Sequence, residues 1–239
     1  MRSAPFTCVL LLIFAACSDK RQENFEHAVK LIREENFRDA LVILENYNKD
    51  SEGSDSSFFF IGVCRFKTGD TRGAIKDFTK AIELNPKYHE AYNIRGLCHG
   101  VLGDYDKEMD DYNKSLAIWP DFSKAYYNRG NLKYDRKDLT GALADYSEAI
   151  RFQSGYGRAH FNRANVLDEL GRFREALEDY YIALDSFEGE EKGEVCFQIA
   201  LDRLILGDTL LACQAFDSSA AFGYQKAENQ KKKLCLKTK

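Results

Sequence analysis

The sequence predicts an all-α protein in which about six helix-turn-helix hairpins stack into a solenoid. Residues of similar character recur every 34 residues along most of the 239-residue chain, which indicates one structural unit repeated in tandem. The chain has only three prolines and 16 glycines, too few for a loop-rich sandwich of β-strands. Hydrophobic residues make up 44% of it and aromatic residues 13%, which is enough for a substantial core.

Four positions of the repeat carry this periodicity. Counted from the first residue of each unit, positions 8, 20 and 27 hold mostly small residues and position 24 holds a large apolar one. Small residues let two helix axes approach to about 8 to 10 Å, and the large one fills the space where the next hairpin stacks. The members are Ala28, Gly62, Gly96, Gly130 and Ala164 at position 8; Ala40, Ala74, Glu108, Ala142 and Ala176 at position 20; Leu44, Phe78, Tyr112, Tyr146 and Tyr180 at position 24; and Tyr47, Ala81, Ser115, Ala149 and Ala183 at position 27.

Turn residues fix the limits of the hairpins. Gly69-Asp70 lies between two helices, where glycine adopts the left-handed conformation and aspartate accepts from free amides of the next helix. Pro86 and Pro120 are placed to end second helices. The register predicts hairpins at residues 21–54, 55–88, 89–122, 123–156, 157–190 and, after a two-residue slip, 193–226.

Two segments fall outside the regular repeat. The acidic segment from Glu188 to Glu194 precedes the sixth hairpin and is expected to bulge out as a linker. Residues 227–239 are rich in lysine, and we expect them to form a basic capping helix with a frayed tail. Contact of this tail with an anionic lipid or sugar is the less favoured alternative.

A period of 34 with small, small, aromatic and small residues in this order resembles the tetratricopeptide repeat, and the match covers about residues 21–226. The resemblance implies pairs of antiparallel helices arranged in a right-handed superhelix. It also implies a concave face lined by positions 2, 5, 6, 9, 12 and 13 of each first helix, where an extended peptide would bind. Short helices of this kind are marginal alone, so stacking supplies most of the stability.

The implied concave face changes in character along the chain. Its early part is apolar, and its later part combines asparagines with aromatic and basic residues, which can bond to a peptide backbone and cover its side chains. Alternatively, the asparagines satisfy helix termini or water, and Phe59 and Phe60 pack on the first repeat. The candidate partner-binding residues are Phe59, Phe60, Phe66, Ile94, Leu97, Lys124, Tyr127, Asn128, Asn131, Tyr134, Arg158, Phe161, Asn162 and Asn165.

The family's clamp for carboxylate-ended chaperone tails needs basic and asparagine residues from three successive repeats. Asn128 and Arg158 match two of its positions. Asn93 stands where the clamp has lysine, Leu97 where it has asparagine, and Asn162 where it has a basic side chain. Recognition of a terminal carboxylate is therefore not implied.

Charged residues also follow the period. Arginine recurs at position 7 as Arg95, Arg129 and Arg163, and aspartate at position 23 as Asp77, Asp111, Asp145 and Asp179. A ladder of ligand-binding charges is one interpretation. We favour structural pairs sixteen residues apart inside each hairpin, such as Arg95 with Asp111, because charges beside packing positions need partners. Glu108, at a position that is otherwise small, predicts either a local splay or a pairing of its carboxylate.

The first 16 residues have the pattern of an export signal, with one early positive charge and an apolar run too short to cross a bilayer. Phe14-Ala15-Ala16-Cys17 resembles the bacterial lipobox, which implies diacylglyceryl on Cys17 and a tether over residues 17–20. An ordinary secretory signal is the alternative. Ser18 follows the cysteine, and by the enterobacterial sorting rule this favours the outer membrane of a bacterial envelope.

No motif in the sequence nominates a catalytic, cofactor or metal site. The four histidines fall at unrelated repeat positions, and there is neither a Cys-x-x-Cys pair nor a phosphate-binding glycine loop. The formal net charge of -4 offers no footprint for nucleic acid. Most of the cysteines are expected to be small core residues.

The sequence thus predicts a lipid-anchored adaptor that binds a protein or extended peptide in its concave face at the cell envelope. A self-assembling structural component of an envelope complex is the alternative, and an enzyme is not expected. Partner identity is not encoded in any motif.

Overall fold

The computed structural model describes residues 6–49 and 53–235, with side chains from residue 20 onward. It confirms the all-α class, because the described residues form thirteen α-helices and one short 3-10 helix and contain no strand. The chain divides between Pro120 and Asp121 into two compact units. In each unit, consecutive helices pack against one another as antiparallel hairpins.

The first unit contains the helices of the first three hairpins. They are α1 (Phe6–Arg33), α2 (Phe37–Lys49), α3 (Asp55–Lys67), α4 (Thr71–Leu84), α5 (His89–Val101) and α6 (Tyr105–Ile118). Helices α3 and α5 begin at the first residues of the hairpins in the sequence register. Helices α4 and α6 each end two residues before a proline, as the loss of a backbone donor at Pro86 and Pro120 requires.

The second unit contains three further hairpins and a capping helix. Its helices are α7 (Ser123–Asp135), α8 (Leu139–Phe152), α9 (Gly157–Glu169), α10 (Phe173–Ala183), the 3-10 helix Leu184–Ser186, α11 (Gly189–Ile205), α12 (Thr209–Ala221) and α13 (Gln225–Leu234). Helix α13 covers one side of α12 and buries Ala227, while residues 236–239 lie outside the described part of the chain.

Close helix crossings explain the small residues of the repeat. A Cβ atom on Gly62 would lie 2.8 Å from the Phe78 ring, and one on Gly130 would lie 2.8 Å from the Tyr146 ring. Each glycine therefore lets the large side chain of the second helix lie directly on the backbone of the first. Ala74 and Ala142 at position 20 are fully buried, which allows the same approach from the other side.

The turns within hairpins follow the predicted chemistry, with two substitutions. Gly69 has a φ of +94°, and Asp70 accepts a hydrogen bond from the Gly73 amide at 2.9 Å. In the first hairpin, Glu35 takes the left-handed conformation with a φ of +60°, and in the fourth hairpin Lys137 takes it with a φ of +63°. A residue other than glycine therefore occupies the left-handed position in these two turns.

The prediction that the acidic segment from Glu188 to Glu194 bulges out as a linker is wrong. Residues from Gly189 onward form the first turns of α11, and the joint between the fifth and sixth hairpins is the 3-10 helix followed by extended Phe187 and Glu188. Glu190 and Glu191 lie in the first turn of α11, where carboxylates interact favourably with the positive end of the helix dipole. The acidic composition therefore marks a helix start.

The amino terminus contains a single helix, α1, from Phe6 to Arg33. Residues 1–5 of the predicted export signal lie outside the described residues, and the Cys17 side chain is outside the described side chains. Lipidation of Cys17 therefore stays a prediction. Within residues 6–49 and 53–235, no helix combines the length and apolarity needed to cross a bilayer.

Three cysteines are buried core residues, as predicted. Cys64, Cys98 and Cys196 are free thiols inside the units, and burial raises the pKa of Cys64 to about 11. The other described pair, Cys213 and Cys235, forms a disulfide that joins α12 to the end of α13. No motif in the sequence predicts this pairing.

Candidate functional site

The early candidates lie in the first unit, and several of them take part in its packing. The Phe59 ring contacts Phe60, Phe78 and Tyr88 at centroid distances of 5.4, 5.7 and 4.8 Å. Phe60 also contacts Phe25 of α1 at 5.8 Å. Phe66 and Ile94 pack on the core around Phe78, and Leu97 is half-buried. These side chains contribute to the stacking of hairpins within the unit.

The later candidates meet at a polar cleft in the second unit. Helix α7 supplies Asn131, Tyr134 and Asp135, helix α9 supplies Asn162 and Asn165, and Tyr146 comes from α8. The cleft has a volume of about 280 Å³ and is open on one side. Its lining contains three amides, two phenols and one carboxylate, and no basic side chain.

A network of internal hydrogen bonds orients the amides of the cleft. Asn131 Oδ1 accepts from the Tyr146 hydroxyl at 2.7 Å and from Asn162 Nδ2 at 2.8 Å. The Asn162 Nδ2 atom also lies 3.3 Å from the Tyr127 hydroxyl. The Tyr180 hydroxyl lies 2.6 Å from Asn165 Oδ1. The bonds leave Asn131 Nδ2 and Asn162 Oδ1 without a partner among the described residues.

In the fourth and fifth hairpins, position 9 is an asparagine and the buried ring at position 24 is a tyrosine whose hydroxyl reaches that asparagine. Asn131 binds the hydroxyl of Tyr146, and Asn165 lies against that of Tyr180, fifteen residues later in each case. A buried phenol needs a hydrogen-bond partner. The amide supplies it to Tyr146, while the Tyr180 hydroxyl also has Asp168 Oδ2 at 2.6 Å. In the second hairpin the ring is Phe78, and position 9 is the apolar Val63.

The third hairpin shows the same requirement met differently. Position 9 is Leu97, which cannot accept a hydrogen bond, and the Tyr112 hydroxyl instead donates to Glu108 Oε1 at 3.0 Å. Glu108 is only 8% exposed, and its carboxylate occupies the space beside Gly100. The sequence predicted either a local splay or a paired carboxylate at Glu108, and the structure shows the paired carboxylate.

The other late candidates lie on α7 and α9, the two helices that supply most of the cleft, and Tyr134 of the lining has a further contact. Tyr127 packs on Tyr156 at a centroid distance of 4.9 Å, and Phe161 packs on Tyr180 and Phe187 at 5.7 and 5.6 Å. The Tyr134 hydroxyl donates to Glu169, which raises the pKa of this phenol to about 12. The remaining three members are the exposed Lys124, the half-buried Asn128 and Arg158, whose guanidinium lies 3.9 Å from Glu191.

The periodic arginines and aspartates form structural pairs, as favoured from the sequence. Arg95 Nε donates to Asp111 Oδ2 at 2.8 Å, and Arg129 Nε donates to Asp145 Oδ2 at 2.8 Å. The pair of Arg163 and Asp179 has the same geometry. In the second hairpin position 7 is Ile61, and the partner of Asp77 is Arg65 at 2.7 Å.

The arginine beside Asp77 does not offset the effect of burial on the pKa of this carboxyl group. Burial raises the pKa of Asp77 and Arg65 lowers it, leaving it at about 6. Burial also raises the pKa of Asp179, but hydrogen bonds from Arg163 and His160 hold that pKa below the usual range. The two aspartates therefore differ in the hydrogen bonds that oppose the effect of burial.

Sequence reasoning missed two acidic residues near the cleft, Asp168 of α9 and Asp202 of α11. Asp202 is 2% exposed and occupies repeat position 10. A signal was present, since the same position holds the apolar or weakly polar residues Cys64, Cys98, Leu132 and Val166 in the second to fifth hairpins. In the described part of the chain, no group of three or more His, Cys, Asp or Glu side chains is placed to hold a metal ion.

A protein-family model described as Tetratricopeptide repeat matches residues 65–123 and 127–191. Those residues make up more than half of the chain. No curated protein matches the sequence.

Several experimentally determined structures are similar in fold. The structure titled "Functional Characterization of Pseudomonas Aeruginosa pilF" aligns with a TM-score of 0.78 and 13% identity, covering 89% of this chain and 98% of that one. YrrB, described as a TPR protein with an unusual peptide-binding site, aligns with a TM-score of 0.64 and 16% identity, covering 79% of this chain and 97% of that one. MamA aligns with a TM-score of 0.61 and 21% identity over 70% of this chain and 97% of its own. At these identities the likeness concerns the fold alone.

Proposed function

This chain belongs to the tetratricopeptide repeat family, and on that premise we propose that it is a protein-interaction adaptor whose polar cleft between α7 and α9 binds an extended peptide segment. The fold supports an interaction role, since members of the family act through the surfaces that their stacked hairpins present. The description of YrrB as having a peptide-binding site agrees with this proposal.

The observation that carries the proposal is the arrangement of unsatisfied amide groups in the cleft. Among the described residues, Asn131 Nδ2 is a donor without a partner and Asn162 Oδ1 is an acceptor without one. The amide of Asn165, which shares the Tyr180 hydroxyl with Asp168, leaves one further polar atom free. A peptide backbone offers a carbonyl acceptor and an N–H donor at each residue. The cleft therefore presents the complement of a backbone, whatever the side chains of the ligand.

Preorganisation adds to this match. The opposite atom of each amide is held by a tyrosine hydroxyl or by another amide at 2.6 to 2.8 Å. Because the amides are already oriented, a ligand loses little free energy in ordering them. The rings of Tyr127 and Tyr134 stand beside the amides and can cover apolar parts of a bound segment.

Replacing Asn162 with alanine is expected to weaken peptide binding at least tenfold. The change removes the free acceptor of the cleft, while Asn131 Oδ1 still accepts from Tyr146, so the fold is kept. A peptide N–H that loses this acceptor is left without a hydrogen-bond partner, which costs about 1 to 3 kcal/mol of binding free energy. The measurement is the dissociation constant of peptides selected from a random twelve-residue display library by the wild-type protein, with Asn229→Ala on exposed α13 as the matched control.

Equal binding by the Asn162→Ala variant, or failure of the library to yield any peptide, would contradict the proposal. Light scattering of the free protein accompanies the experiment. Mass that grows with concentration in the absence of peptide would favour the self-assembly alternative instead.

We further propose that the adaptor is exported and anchored through lipid on Cys17. Two observations support this setting. The sequence Phe14-Ala15-Ala16-Cys17 resembles a lipobox, and the Cys213–Cys235 disulfide is of a kind that persists in oxidising compartments outside the cytosol. Several acyl chains on one cysteine would give firm attachment, since each buried methylene contributes about 0.8 kcal/mol.

Replacing Cys17 with serine is expected to release the protein from the membrane fraction. The change removes the only thiol that the proposed signal would modify, while the export sequence before it stays intact. Fractionation of cells expressing each variant gives the readout, and Cys8→Ser, within the signal itself, is the control. Retention of the Cys17→Ser protein in membranes would refute lipid anchoring.

A further inference from the structure

Two carboxyl groups of the second unit, those of Asp168 on α9 and Asp202 on α11, are close enough for each to shift the pKa of the other. Asp202 is 2% exposed, and Asp168 is half-buried. One oxygen of each, Asp168 Oδ1 and Asp202 Oδ2, is closed off from solvent and has no hydrogen-bond partner among the described residues. Two ionised carboxylates in this position would repel, because a buried site screens charge poorly.

The pair is specific to the junction of the fifth and sixth hairpins. Position 10 of the repeat is filled by Leu132 in α7 and by Val166 in α9, and both are buried. Asp202 replaces the apolar side chain at this position in α11. An apolar residue would satisfy packing there, so the packing of the hairpins does not account for a carboxyl group.

The titratable groups that face the pair are two phenols. The Tyr180 hydroxyl of α10 lies 2.6 Å from Asp168 Oδ2, and Tyr134 of α7 also faces Asp168. Arg203 follows Asp202 in sequence, but its guanidinium is directed to Asp208 at 2.9 Å. A cation is therefore not supplied by the nearest arginine.

Charged residues on the other elements packed around the pair have partners elsewhere or lie in solvent. In α8 and α10, Asp145 is bound by Arg129 and Lys133, Glu148 by Arg151, and Asp179 by Arg163 and His160, while Arg174, Glu175 and Glu178 are exposed. Asp217 of α12 binds Lys231, and Asp185 of the 3-10 helix is exposed. A proton is the remaining source of positive charge between the two carboxyl groups.

We propose that Asp168 and Asp202 share one proton and form a proton-dependent contact between the fifth and sixth hairpins. The proton lies between Asp168 Oδ1 and Asp202 Oδ2, the two oxygens that have no other partner. Its loss leaves two adjacent carboxylates in a weakly polar environment, and their repulsion separates α9 from α11. The proposal holds whether or not the cleft binds a peptide.

The direction of the pH effect follows from linkage. Burial and the adjacent Asp168 raise the pKa of Asp202 to about 8, and burial also raises the pKa of Asp168. In the unfolded chain an aspartate titrates near pH 4. Because the folded protein holds the proton more tightly, this stabilisation is fully present below about pH 4 and is lost as the pH rises through about 8.

Thermal unfolding between about pH 6 and pH 9 tests the proposal. We expect the melting temperature of the wild-type protein to fall by about 5 °C more than that of Asp202→Asn over this range. The asparagine keeps an N–H donor for Asp168 and carries no charge. Asp185→Asn, which removes an exposed carboxylate from the 3-10 helix, is the matched control and should retain the wild-type slope.

Equal slopes for the wild-type and Asp202→Asn proteins would overturn the shared proton. Should Asp202→Asn not fold, carboxyl-carbon NMR of the aspartate-labelled wild-type protein decides. An aspartate signal that titrates near pH 8 supports the proposal, and the absence of any that titrates above about pH 7 overturns it. A rise in melting temperature on adding calcium chloride at high pH, absent in Asp202→Asn, would identify a metal cation in place of the proton and also overturn it.

Discussion

Replacing Asp179 with alanine is expected to lower the free energy of unfolding by about 3 kcal/mol or more. Asp179 is 3% exposed and accepts from Arg163 Nε at 2.7 Å and from His160 Nδ1 at 2.7 Å. The other ring nitrogen, His160 Nε2, lies 3.0 Å from the Ser154 carbonyl oxygen. Alanine would leave the partly buried Arg163 guanidinium without its anion and His160 Nδ1 without its hydrogen-bond partner.

Urea unfolding followed by circular dichroism measures this effect. Glu178→Ala is the matched control, because this neighbouring carboxylate on α10 is exposed. It should change the free energy of unfolding by no more than about 0.5 kcal/mol. A loss below about 1 kcal/mol for Asp179→Ala would show that the pair behaves like an exposed ion pair.

Replacing Gly130 with valine is expected to destabilise the second unit by about 3 kcal/mol and to disturb the cleft as well. A Cβ atom at this position would lie 2.8 Å from Cε1 and 2.9 Å from Cδ1 of Tyr146. That ring is 1% exposed, and its hydroxyl binds Asn131. The ring cannot move aside without breaking the hydrogen bond that orients the amides of the cleft.

Two measurements separate these consequences. Urea unfolding reports the loss of stability, and the near-ultraviolet circular dichroism of the tyrosines reports displacement of the ring. Gly155→Val is the control, since no atom lies within 4 Å of a Cβ atom built there. If both variants lost the same stability, the small residue at position 8 would not be required by packing.

The hairpin register was predictable from sequence because it rests on contacts that repeat. Gly62 and Phe78, or Gly130 and Tyr146, are sixteen residues apart and touch within one hairpin, so each recurrence reports the same local geometry. The pairs of Arg95 with Asp111 and Arg163 with Asp179 follow the same rule. A periodic pattern of this kind fixes both elements of a hairpin together.

Non-periodic features were harder to predict. The segment from Glu188 to Glu194 looked like a solvated linker by composition, yet its glutamates begin α11, where the helix dipole favours them. From the sequence, the asparagines of the cleft were predicted to bind a ligand. The structure adds that all three also form hydrogen bonds to buried tyrosines or to each other. Composition alone could not separate these two roles.

By itself the sequence determined the all-α class, the 34-residue unit and the residues at which one helix lies on the next, because these depend on side-chain size and charge at fixed spacing. Tertiary structure decided which polar groups meet across hairpins, including Asn131 with Asn162, and which carboxyl groups are buried, including Asp168 and Asp202. The difference has a physical reason. Packing within a hairpin is local and repeated, whereas a hydrogen bond or a shared proton between hairpins depends on single atoms placed by the stacking of the whole unit.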